Sequence, residues 1–162
     1  MTASQAFVVS GESAEVVALP AGGAFTLLAD ASDTAGALGA NRLTLGPGRD
    51  GAKLHYHVRS TELFYVLDGA LDFLLGEERV TLTKGGLVVV PPRLPHAFGA
   101  APGTDADLLA VLTPGVERYG YFRQLGRIQH GLESFDSLLP EQERYDVHFV
   151  DGSGGRPPRS FR

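Results

Sequence analysis

The 162-residue sequence predicts an all-β fold, an antiparallel sandwich or small barrel, on three observations. Its 21 glycines and 10 prolines punctuate the chain at short intervals. Aliphatic residues come in short clusters rather than long amphipathic stretches. From Leu54 onward the segments "LHYH", "ELFYVLDG", "ALDFLLG", "RVTLTKG", "GLVVVPP", "HAFGA" and "DLLAVLT" follow one another at nearly even spacing, separated by Gly, Pro or charged turns.

Each element has its own rationale. "EVVAL", "AFTLLAD" and "NRLTLG" are short and apolar, and the Pro-Ala-Gly-Gly and Gly-Pro-Gly clusters among them are turn chemistry, so they read as the opening strands. Alternation puts Leu71, Phe73 and Leu75 on one face of their strand and Asp72 on the other, and it points His55 and His57 the same way. "LVVV" and "LLAVL" are apolar on both faces, as expected where a second layer or a subunit covers the outside, which makes a homodimer the expected assembly. After Pro114-Gly115 the period changes. Val116, Tyr119 and Phe122 stand three apart and predict a short helix weakened by Gly120, a second short helix should open at Pro140, and "YDVHFVD" reads as extended. One domain over residues 1–150 is expected, with the core barrel at about 40–115, a C-terminal helical extension over 116–150, and a flexible tail over 151–162.

Charge and composition bound the chemistry. A net charge of -5 offers no basic field for a phosphate backbone, so a small neutral or weakly charged molecule is the expected partner, not nucleic acid. No cysteine is present, so a metal would have to be held by His, Asp or Glu. The N-terminal stretch has neither a basic region nor an apolar core of signal-peptide length, and no apolar run approaches a membrane span, so the expectation is cytoplasmic, with no membrane partner.

The residues that carry chemistry lie in "KLHYHVRSTELFYVLDG". His-x-His on a strand delivers two imidazoles to one face without bending the backbone, and Glu62 can join them after a turn. With five histidines in the chain, about 0.15 such pairs are expected by chance, and fewer with Glu at a fixed offset, so the spacing is specific. The alternative is two imidazoles that merely hydrogen-bond in a polar barrel mouth. His96, after a buried strand and a proline-rich turn, is the natural fourth ligand, although a lone histidine beside Phe98 would otherwise read as packing. Three imidazoles and a carboxylate suit one divalent ion among Fe, Mn, Co, Ni and Zn, and leave open positions if the ion is six-coordinate. Glu62 is then also the candidate general base. Phe64, Phe73 and Phe98 fall on the inward face as candidate substrate-binding residues or simple filling. Lys53 precedes His55 by two and would share its face, where it could hold an acidic substrate, or it is an exposed loop lysine; Arg93 carries the same ambiguity. His130 and His148 lie outside this constellation and read as surface or packing residues.

These residues resemble the two-motif signature of the cupins. The first motif, a glycine, His-x-His, Glu and Gly, is matched by Gly48 or Gly51, His55, His57, Glu62 and Gly69. The second is matched by Gly85, Pro91 and His96, with Arg93 where the motif has glycine and Ala100 where it has asparagine. The resemblance implies a double-stranded β-helix, or jelly-roll barrel, with short C-terminal helices. "TPGVERYGYFRQLG" and "ERYDVHFVD" are similar to the C-terminal extension of single-domain cupins grouped with quercetin 2,3-dioxygenase. That second likeness implies a dioxygenase acting on a flavonol or another enolisable aromatic compound, with dioxygen as co-substrate. Non-oxidative isomerase, cyclase or lyase chemistry, or ligand binding without turnover, remain open readings from the same fold.

Overall fold

The structure, a computed structural model, describes residues 5–150. Ten strands form curled antiparallel sheets: β1 Glu15–Ala18, β2 Ala24–Ala29, β3 Gly39–Leu45, β4 Asp50–Tyr56, β5 Thr61–Leu75, β6 Glu78–Thr83, β7 Leu87–Val90, β8 His96–Ala100, β9 Ala106–Thr113 and β10 His148–Phe149. The strand order is β1-β2-β3-β9-β5-β8-β4-β10, with β6 and β7 also paired to β5. The expected all-β barrel is therefore what the chain forms.

Alternation builds the interior. Phe25, Leu27 and Ala29 of β2, Leu43 and Leu45 of β3, Phe64 and Val66 of β5, Val88 and Val90 of β7, and Leu108 and Ala110 of β9 are all buried. Each Val, Leu or Phe side chain among them contributes roughly 1.5–3 kcal/mol of transfer free energy on burial. Glu62 occupies an inward position in the same series as Phe64 and Val66, so the backbone itself drives a carboxylate into the core. The outward partners Tyr65, Leu87 and Val89 are exposed.

The two strands expected on either side of Gly69 are one. β5 runs 15 residues, its first half paired with β7 and β9 and its second with β6 and β8. Gly69 is the bend: its φ is +73, and a Cβ there would run into the main-chain carbonyl of Asp105. The register against β9 also shifts between Val66 and Asp68, as a bulge requires.

The C-terminal elements close the barrel with shifted boundaries. Helix α1 spans Tyr119–Gln129, leaving Val116 outside. Its start is set from afar, because the Asp30 carboxylate accepts from the amides of Arg118 (2.7 Å) and Tyr119 (3.1 Å). Pro140 does not open a helix; it sits within a 3-10 run over Phe135–Glu141 that begins at the Ser134 cap, and α2 follows at Gln142–Tyr145. The stretch expected to be extended is reduced to β10, which pairs with Tyr56 and His55 of β4. Leu138, Tyr145 and Val147 reach the core from this segment. The predicted tail over 151–162 lies outside the described residues. No helix among the described residues is long and apolar enough to cross a membrane.

Candidate metal centre

Strand pairing brings the predicted ligands together. His55 on β4 stands opposite His96 on β8, and Glu62 enters from β5. His57 follows the end of β4, where its carbonyl accepts from the Arg93 amide at 2.6 Å. All four residues are buried, and one donor atom from each lies within 4.8 Å of the others.

The outer ring nitrogen of each imidazole is held by a main-chain carbonyl. Nδ1 of His55 meets the Lys53 oxygen at 2.6 Å, Nδ1 of His57 the Asp146 oxygen at 2.7 Å, and Nδ1 of His96 the Leu94 oxygen at 2.9 Å. A carbonyl only accepts, so Nδ1 carries the proton in each ring and the Nε2 lone pairs converge inward. Glu62 Oε2 lies 2.6 Å from Nε2 of His57 and 3.1 Å from Nε2 of His96. Lone-pair atoms approach this closely only with a cation between them, a proton or a metal ion. Burial, with His96 and His57 nearby, pushes His55 well below its ordinary range, so it stays neutral. Burial alone would raise Glu62, but His57 and His96 outweigh it and hold the carboxyl well below the usual range. The donor set fits a divalent transition ion.

Beside the ligands lies a chamber of about 40 Å³, whose wall includes His55, Glu62, Phe64, Phe98, Asn41 and Arg118. Phe64 and Phe98 thus line it, whereas Phe73 is fully buried and packs against both, with ring centroids 5.4 and 5.8 Å away. Gly51 stands on the same wall, and a Cβ there would meet the Phe98 ring. Lys53 does not share the ligand face. The β4–β8 register shifts between Ala52 and His55, which breaks the period-two parity, and Lys53 instead lines an outer groove of about 500 Å³ with its Nζ 3.7 Å from the centroid of the Phe135 ring. Arg93 takes φ +71, so it adopts the left-handed conformation the motif glycine would supply. His148 bonds Asp146 and stacks on Tyr56, and exposed His130 contacts the Ala18 carbonyl.

Sequence reasoning missed three residues. Arg118 and Tyr121 line the chamber from the start of α1, and only the helical period around them hinted at an inward face. Asp146 has φ +51; besides its carbonyl on His57, its carboxylate accepts from the amides of Val58 (2.8 Å) and Arg59 (2.9 Å). No local pattern signals that bond across the fold.

The chain is thus a curled β-barrel with three imidazoles and one carboxylate converging inside. Residues 41–112 match the cupin domain family. Among solved structures, an RmlC-like cupin from Shewanella frigidimarina aligns at a TM-score of 0.58 and 22% identity, covering 72% of this chain and 96% of that one. Iron(II) HppE aligns at 0.56 and 23%, covering 66% and 60%. The polyketide cyclase RemF from Streptomyces resistomycificus aligns at 0.56 and 19%, covering 68% and 80%. An uncharacterized protein of Methanocaldococcus jannaschii is 37% identical over 43 residues, 26% of this chain and 34% of that protein's length. The family model and these structures agree on the fold, which is the cupin-type β-barrel.

Proposed function

We propose that this chain is a metal-dependent dioxygenase acting on a flavonol or another enolisable aromatic small molecule. The observation that carries the reading is the convergence of the three Nε2 atoms and Glu62 Oε2, with each Nδ1 fixed from behind. His55, His57, Glu62 and His96 would hold one divalent ion. A bound ion would supply Lewis acidity toward a substrate hydroxyl and, where redox-active, a route for electrons to dioxygen.

The protein's own groups supply the rest. Glu62 Oε2 is taken up by His57 and His96, which leaves Oε1 as the oxygen able to accept a substrate hydroxyl proton. Phe64 and Phe98 make the chamber wall beside the donor cluster apolar. A non-oxidative reading draws support from Tyr121. Burial pushes its hydroxyl up to about 12, so a protonated phenol stands on the chamber wall as a potential acid for isomerase, cyclase or lyase chemistry.

Oxygen uptake separates the two. Chelator-stripped protein would be reconstituted with Fe(II), Mn(II), Co(II), Ni(II) or Zn(II) and mixed with quercetin and other enolisable aromatics. The dioxygenase reading expects substrate-dependent uptake with a redox-capable ion, none with Zn(II), and none in Glu62→Gln. Product formed under nitrogen, at equal rate with Zn(II), would replace it with the non-oxidative reading.

A further inference from the structure

We propose that Arg118 is the specificity determinant of this site and that the substrate is an organic acid whose carboxylate enters the chamber between Arg118 and the ligand pair His55 and Glu62. This rests on the metal-site reading above and narrows its substrate class from enolisable compounds in general to those bearing an acidic group.

Arg118 is 8% exposed, and its Nε is a buried side-chain donor without any hydrogen-bond partner. A buried guanidinium normally gains a carboxylate, because its desolvation is otherwise uncompensated. None lies within ion-pair distance among the described residues. The obvious candidate, Asp30, is already engaged: Oδ1 accepts from the amides of Ala31 and Arg118, and Oδ2 from that of Tyr119. Glu62 makes its ion pairs through Oε2 with His57 and His96 and none with the guanidinium. The guanidinium instead lies beside two aromatic rings, 5.1 Å from the centroid of Tyr121 and 5.4 Å from that of Phe122. The guanidinium also hydrogen-bonds the Tyr121 hydroxyl, which leaves Nε as the buried donor still without a partner. It is a preorganised fork on a chamber wall that also holds His55 and Glu62.

Size decides how such an acid sits. At about 40 Å³ the chamber takes a carboxylate head and little more, since one water occupies about 30 Å³ of liquid. The outer groove of about 500 Å³ shares Gly51, Ala52, Tyr121 and Leu125 with it as walls. The body of the molecule therefore lies in the groove, and the head passes over Gly51, where a side chain would collide with Phe98.

The test uses salicylate and its neutral amide, salicylamide, as probes, titrated by calorimetry into the full chain, both Co(II)-loaded and metal-stripped. Wild type should bind salicylate at least about tenfold more tightly than salicylamide, the discrimination expected of one charge-assisted bond. Arg118→Gln should erase that ratio with the salicylamide affinity and the Co(II) content unchanged, and Arg118→Lys should restore part of it. A merely structural arginine would change both probes alike. Equal affinities in wild type, no salicylate binding in either state, or a ratio that survives in Arg118→Gln would overturn the proposal. Should Arg118→Gln not fold, Arg118→Met decides, since an unchanged ratio in that uncharged variant also refutes it. Wild type that keeps the acid preference but takes up no Co(II) would fail the metal reading alone; Co(II) uptake without the preference would fail the arginine alone.

Discussion

Replacing Asp146 should unfasten the C-terminal segment from the loop that carries His57. Its carboxylate, with a side chain only 1% exposed, accepts from two adjacent amides at 2.8 and 2.9 Å. Bonds to a charged acceptor are worth about 1.5–3 kcal/mol each, and water reaching the half-buried amides recovers part of that, so Asp146→Ala should cost roughly 3 kcal/mol. Alanine at φ +51 adds about 1 kcal/mol of left-handed strain, which Asp146→Gly would not incur. Asp146→Asn keeps one acceptor and a residue tolerant of that conformation, so it should cost roughly half as much as Asp146→Ala. The pH dependence gives an independent check. Burial would raise the Asp146 carboxyl, but the Val58 and Arg59 amides and His148 outweigh it and hold it below its ordinary 3.8. A depressed carboxyl contributes stability that is fully present above its unfolded value and is lost as pH falls through its folded value. The gap between wild type and Asp146→Ala, from urea unfolding, should therefore be widest at neutral pH and shrink below pH 3.8. A cost under about 1 kcal/mol at pH 7, or a gap that widens in acid, would refute the reasoning.

Three further perturbations have definite signs. Arg93→Gly should stabilise the protein by about 1 kcal/mol by relieving a left-handed non-glycine residue, a rise of about 2–4 °C in melting temperature by calorimetry. Gly69→Ala should destabilise it by about 3 kcal/mol, combining the positive φ with collision against the Asp105 carbonyl, and urea unfolding would read the loss. His96→Ala should leave little Co(II) after loading and desalting, measured by elemental analysis with wild type as reference; full occupancy would mean that the four donors do not act as one site.

What was legible in the sequence was whatever alternation and turn chemistry encode locally. Period-two spacing set His55 and His57 together and put Phe64 inward with Glu62, because a strand repeats every second residue. The same rule failed at Lys53, where a register shift resets the parity without any mark in the residues. Gly69 was legible as a break in conformation but not as a bend within one continuous strand, since both need the same glycine. The end of α1 that bears Arg118 and the reach of Asp146 depend on contacts between segments 88 residues apart, which no local window contains.

The three carbonyls behind the imidazoles belong to the backbone of residues 53, 94 and 146 rather than to their side chains. Every amino acid carries that oxygen, so Lys53 and Leu94 can be exchanged while ring orientation persists, whereas Asp146 is also held by the bonds of its carboxylate. Only exchange at His55, His57, Glu62 or His96 themselves removes a donor outright. Substitutions in the groove and chamber walls can therefore alter what the site admits without removing a donor.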